Sequence, residues 1–156
     1  MSSETIVTAL FLIAAVVAAG VLINAVFPII SRTTETFGSV AHSTDNQIRT
    51  DIKIVNYFAN TPTAQVWLKN IGSSRISANE LDDSDVFIGG VGNFDRFSLA
   101  PTLWDFPEDP GGQWWDPGET LHITLTSNKI PVSGNMTYFA IVLPNGVKRS
   151  VEFVAD

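Results

Sequence analysis

Cysteine is absent from the 156 residues, which excludes disulfides, thiolate metal ligands and a cysteine nucleophile. Histidine is nearly absent. His42 and His122 lie far apart, and no His-x-x-x-His spacing is available to hold zinc. Basic residues are also scarce, at 9 Lys+Arg against 16 Asp+Glu, for a net charge of −7. The deficit is local: residues 51–156 carry 7 basic and 13 acidic side chains (−6), and residues 1–50 carry 2 and 3 (−1). An acidic domain without a basic stripe is a poor match for nucleic-acid phosphates or anionic lipid headgroups.

Charge of either sign is missing altogether from Ile6 to Ile30, where only Thr8, Gly20, Asn24 and Pro28 interrupt an apolar run. At 1.5 Å per residue such a run forms a helix of about 37 Å, enough to cross a hydrocarbon core of about 30 Å. A buried helix of a soluble domain is seldom apolar on every face for this length. A cleaved signal peptide calls for a basic start and a shorter run, whereas this chain begins Met1-Ser2-Ser3-Glu4-Thr5. Ser2 or Ser3 is expected to cap the helix, and Glu4 sits favourably at its positive end. Residues 1–30 are therefore read as a transmembrane anchor. Ala14, Ala15, Ala18 and Ala19 form small-xxx-small pairs, and with Asn24 they are the expected helix-association residues. Pro28 is expected to kink the helix or to mark where it leaves the bilayer.

Residues 31–50 are read as a helical extension or linker. Ile30, Phe37, Val40, Ala41 and Ile48 recur at roughly helical spacing, although Gly38 and five Ser or Thr residues lower the propensity. Arg32, just beyond the span, argues against an outside domain. The acidity and the sequon Asn135-Met136-Thr137, a candidate glycosylation site at Asn135, argue for one. The expected location is the cytoplasmic membrane, single-pass, with the C-terminal domain outside.

From Asp51 the pattern becomes short alternating runs bounded by turn residues. Strands are expected over Asp51–Phe58, Ala64–Asn70, near Ile76, Val86–Ile88, Phe94–Leu99, Leu121–Thr126, Thr137–Leu143 and Val147–Val154. Asn145-Gly146 predicts a type I′ hairpin turn, which needs positive φ at both central residues. Seven to nine short strands imply an antiparallel, immunoglobulin-like β-sandwich over residues 51–156.

Catalytic chemistry is hard to find. His122 has no obvious acid beside it in the sequence. Gly89-Gly90-Val91-Gly92 lacks the strand-to-helix context of a phosphate loop and reads as a turn or bulge. The acidic run Glu80-Leu81-Asp82-Asp83-Ser84-Asp85 lacks the EF-hand glycine and terminal glutamate, and reads as a solvated loop. No enzyme activity, metal or cofactor is expected. Trp104, Trp114 and Trp115 lie among prolines, glycines and acids between strands. Tryptophan is enriched at interface hot spots, so these three are candidate partner contacts, unless they fold back to close one end of the sandwich. An envelope carbohydrate surface is an alternative use of the same loop.

The ordered residues Ser3-Glu4-Thr5-Ile6-Val7-Thr8-Ala9-Leu10, Ile13-Ala14-Ala15-Val16-Val17 and Val21-Leu22-Ile23-Asn24-Ala25-Val26-Phe27-Pro28 resemble the N-terminus of the FlaG family of archaeal motility. Arg49-Thr50-Asp51-Ile52-Lys53-Ile54-Val55 resembles the same family. The resemblance implies a stator-type accessory role in the archaellum, with a FlaF-like partner, contacts towards the surface layer and a homo- or hetero-oligomer. No prepilin-type leader precedes Ser2, and on that ground an accessory protein is expected rather than a pilin-like or archaellin-like filament subunit.

Overall fold

The computed structural model describes residues 2–156, with Ser2 described in its backbone alone, so the cap expected from its hydroxyl lies outside the described residues. The chain divides into two compact units, one ending at Ser43 and the other spanning Thr44–Asp156. One helix, α1 (Ser2–Arg49), makes up the first unit and contributes its last turns to the second. It is long and apolar enough to cross a membrane.

Pro28 lies inside α1 and does not end it, although it has no N–H to offer the Asn24 carbonyl one turn back. Past Ile30 the sequence is rich in residues of low helix propensity, and their hydroxyls turn inward. Thr33, Thr34, Thr36 and Ser43 donate to the carbonyls of Ile29, Ile30, Arg32 and Ser39 at 2.7–3.0 Å. This back-bonding satisfies each hydroxyl on the helix itself.

The second unit holds β1 (Ile52–Asn60), β2 (Thr63–Asn70), β3 (Ile76–Ser77), α2 (Ala78–Asp82), β4 (Asp85–Gly90), β5 (Asn93–Ser98), β6 (Trp104–Asp105), β7 (Trp114–Trp115), β8 (Thr120–Thr126), β9 (Met136–Val142) and β10 (Lys148–Val154). Two four-stranded sheets have the orders β1-β2-β8-β6 and β10-β9-β4-β5, and β3 pairs with β7. Each pairing is antiparallel. Alternation explains the packing: Val66, Leu68, Leu121, Ile123 and Leu125 of the first sheet face Val86, Ile88, Phe139 and Ile141 of the second, all at 0% exposure. At about 1.5–3 kcal/mol per fully buried side chain, this interior is the main source of stability. The helix followed by antiparallel sheets is the architecture that the sequence patterns anticipate.

Several local expectations are corrected. The β9–β10 turn is not type I′: within it only Gly146 has positive φ (+86°), and among the described residues no non-glycine residue has one. Leu143 N–H donates to the Val147 carbonyl at 2.9 Å, so Pro144-Asn145-Gly146 is a three-residue loop with glycine in the left-handed position. The segment Ala78–Asp82 is not a loop but a helix with a capping box. The Ser77 hydroxyl accepts from Glu80 N–H, and the Glu80 carboxylate accepts from Ser77 N–H at 2.8 Å. Strand β1 does not alternate throughout. A bulge between Ile54 and Asn56 shifts its register on β2, so Ile52 and Ile54 face inward before it and Ala59 after it.

Candidate interaction surfaces

The three candidate tryptophans fall in different environments. Trp115 is fully buried, and its Nε1 donates to the Glu119 carbonyl at 2.9 Å. It is a core residue, which corrects its expected place on a contact surface. Trp104 is half-buried, with Nε1 donating to Asp82 Oδ1 at 3.2 Å and its ring 5.0 Å from Phe106. Trp114 presents its ring at 43% exposure, and the Arg75 guanidinium lies 4.4 Å above it. That cation–π contact covers part of the ring while the residue stays substantially exposed.

The loop carrying these rings is clamped by Asn70, which sequence reading passed over. Asn70 is completely buried at the end of β2. Its Nδ2 donates to the carbonyls of Ser74 (2.9 Å) and Trp115 (3.0 Å), and its Oδ1 accepts from Gly72 N–H at 3.0 Å. Its backbone adds Asn70 N–H to the Glu119 carbonyl at 3.0 Å and Gly118 N–H to the Asn70 carbonyl at 2.7 Å. One side chain thus joins the strand end, the 71–74 turn and the tryptophan loop.

His122 does have an acid beside it, contrary to the sequence reading. Pairing of β6 with β8 places Asp105 opposite His122, with Nδ1 3.1 Å from Asp105 Oδ1. The imidazole stacks on Trp67 at 4.6 Å, and its Nε2 is buried without a partner. A third polar knot lies beyond β5. Lys129 Nζ is 2.7 Å from Asp95 Oδ1, and the Ser127 hydroxyl donates to Oδ2 at 2.6 Å. Together the ammonium and the hydroxyl hold the Asp95 carboxyl below its ordinary range. Among the described residues no group of three or more His, Asp or Glu side chains converges on a place for a metal ion.

The junction of α1 with the sheets is also specific. Asn145 Nδ2 donates to the Thr50 hydroxyl at 2.9 Å, and that hydroxyl donates to the Asn46 carbonyl at 2.7 Å. Asn135 lies on an exposed turn, its Nδ2 donating to the Val132 carbonyl at 3.1 Å.

Along α1, Ala14, Ala15, Ala18 and Ala19 lie on one side and are exposed. Asn24 does not join them: at about 100° per residue it points roughly 210° away from their mean direction. The five residues expected to form one association surface therefore lie on two sides of α1.

The archaeal-type flagellin family matches residues 2–153. The chain belongs to that family. It is accordingly a structural, non-enzymatic component of the archaellum. The family is broader than the FlaG resemblance of the N-terminus. A protein of uncharacterized function from Archaeoglobus fulgidus is 28% identical over 162 residues, covering 98% of this chain and 99% of its own. Three solved structures share the fold. The archaellum periplasmic stator protein FlaG of Sulfolobus acidocaldarius has a TM-score of 0.52 at 23% identity, covering 67% of this chain and 99% of that one. A chain of the FlaF and FlaG stator complex from the same organism gives 0.51 at 25% identity, covering 65% and 87%. The archaeal flagellum of Methanospirillum hungatei gives 0.68 at 17% identity, covering 96% and 92%.

Proposed function

We propose that this family member is a membrane-anchored stator-type component of the archaellum, with its β-domain outside the cytoplasmic membrane and bound to a FlaF-like partner. The observation that carries this reading is the likeness to a chain of the FlaF and FlaG stator complex, at 25% identity with a TM-score of 0.51. The charge-free run of α1 supplies the anchor, and a tie of this kind needs contacts rather than bond chemistry. Trp114, held by Arg75 and open to solvent, is the ring best placed to serve as an anchor residue in the partner contact.

The experiment is co-purification of the full chain in detergent with a FlaF-like protein from the same source. Co-elution at micromolar concentration is expected, and two folded proteins that elute separately would remove the partner. Protease treatment of intact cells tests the sidedness, since an outside β-domain is cut while the anchor is retained.

A filament-subunit reading is favoured by the family itself, which matches residues 2–153. Electron microscopy of the purified full chain separates the two. Long helical polymers support the filament, and discrete particles support the stator.

A further inference from the structure

The second unit holds four arginines, and three of them meet an aspartate: Arg49 with Asp45 (3.0 Å), Arg96 with Asp85 (2.8 Å) and Arg149 with Asp51. Arg75 is the exception. Among the described residues no carboxylate oxygen lies within 4.0 Å of its guanidinium, and its side chain makes no hydrogen bond. Residues 51–156 carry 13 acidic side chains, so a partner within the domain would be the ordinary outcome. The guanidinium instead lies over Trp114 at 4.4 Å. A cation–π contact uses the charge and leaves the N–H donors to be answered elsewhere.

Local pairing fixes this arrangement. Strand β3 begins directly after Arg75, and its pairing with β7 sets Ser77 opposite Trp114. The backbone leading to Arg75 is held by the Arg49 carbonyl, which accepts from the N–H groups of Ser73 (2.9 Å) and Ser74 (3.2 Å). Asn70 Nδ2 holds the Ser74 carbonyl from the other side of the turn. A backbone fixed in this way has little further freedom to lose on binding.

Arg75 lines a recess of about 100 Å³ together with Ser74, Asn46, Glu80, Ile76 and Leu143. The Ser74 hydroxyl and the Asn46 side-chain amide make no hydrogen bond among the described residues. Three side chains with free donors thus line one small space, and the buried Ile76 and Leu143 beside them lower its dielectric and strengthen any polar contact made there. Glu80 is the one acid in the lining, and its Oε2 accepts from the Ser77 N–H and hydroxyl at 2.8 and 2.9 Å.

We propose that this recess takes the carboxylate of an aspartate or glutamate of the FlaF-like partner, paired with Arg75, while an apolar residue of the partner covers Trp114. The inference rests on the partner reading above and names the chemistry of the contact. The free donors select an anion, and Arg75 is the side chain whose planar fork matches a carboxylate. The single acid in the wall disfavours a doubly charged group such as a phosphate. The volume is well below the roughly 300 Å³ or more that a whole small-molecule ligand occupies, so the recess suits the end of one side chain. On a domain that is acidic overall, a carboxylate accepted at one built recess fixes register as well as adding affinity.

The test is titration calorimetry of the full chain in detergent micelles with the FlaF-like protein from the same source. Arg75→Ala is expected to weaken binding by about tenfold or more. Arg75→Lys, which keeps the charge and loses the fork, is expected to weaken it by about threefold or more. Glu80→Gln keeps the capping oxygen, removes a like charge and is expected to tighten binding by about twofold. Arg75→Glu abolishes binding, and Asp→Arg or Glu→Arg at one exposed position of the partner restores it, which a folding defect would not do. A parent chain that binds while all three Arg75 variants bind equally well overturns this inference and leaves the partner reading standing. Weaker binding by Glu80→Gln also overturns it, since the recess would then hold a cation or a hydroxyl group, and so does the lack of any restoring position on the partner. Two folded parent proteins that give no binding heat and elute separately remove the partner reading and this inference together.

Discussion

Replacing Asn70 should damage the β-domain more than any surface change. Asn70→Ala removes two donated bonds and one accepted bond, each worth about 1 kcal/mol net, and leaves the Ser74 and Trp115 carbonyls without that partner in a buried to part-buried site. The sum is a loss of about 3–5 kcal/mol, which for a domain of this size lowers Tm by roughly 12–20 °C. All four tryptophans lie between residues 67 and 115, so thermal melts of the full chain followed by tryptophan fluorescence report the β-domain rather than α1. Asn70→Asp keeps the shape and the acceptor for Gly72 but points an anion at two carbonyls. Burial and those carbonyls raise its carboxyl above the ordinary range, so it binds a proton in the folded state before the unfolded state does. Its deficit against the parent chain should therefore be largest near neutral pH and shrink as pH falls through the raised value. An Asn70→Ala loss below about 1 kcal/mol would refute the clamp. So would an Asn70→Asp chain as stable as the parent at pH 7.

Asp95 predicts an opposite pH response. Its carboxyl is held below the ordinary range, so its contribution is present above that range and is lost as pH falls through the lowered value. Urea midpoints of the parent and Asp95→Asn chains should therefore differ at neutral pH and converge in acid. Ser77→Ala removes the hydroxyl half of the capping box and should lower stability by about 1 kcal/mol in the same urea assay. Gly89→Ala should cost about 2–4 kcal/mol, because φ is +153° and a Cβ there would lie 2.6 Å from the Asn93 carbonyl oxygen and Phe94 Cα. A thermal melt of Gly89→Ala within 2 °C of the parent would contradict that geometry.

What the residues reveal in advance depends on how far apart the deciding partners are. The charge-free run from Ile6 to Ile30 defines an apolar helix by itself, and alternation in Leu121–Thr126 defines an inward face by itself. The capping box at Ser77 and Glu80 was also legible, since Ser-x-x-Glu before an apolar residue is a helix start. The negative charges around it drew the reading towards a solvated loop. The two-residue strands β6 and β7 have no room for a period, so nothing in Trp104-Asp105 or Trp114-Trp115 announces them. The contact of His122 with Asp105 and the clamp by Asn70 exist only once strands are paired, across 17 and 45 residues of chain. Asn145-Gly146 misled because the turn type depends on loop length, and Pro144 makes the loop three residues long.

The helix carries a constraint that neither its length nor its hydrophobicity reveals. Four alanines make one side of α1 smooth, which allows a close neighbour there. Asn24 lies nearly opposite, one turn before a proline that leaves the Asn24 carbonyl without its helical donor. Facing lipid, a polar side chain and a carbonyl deprived of its helical N–H need a donor and an acceptor that lipid does not contain. The alanine side gains from a neighbour through contact area, whereas the Asn24 side is costly without one. An anchor with a single neighbour can satisfy only one of these sides. Both are satisfied when the helix stands between two others.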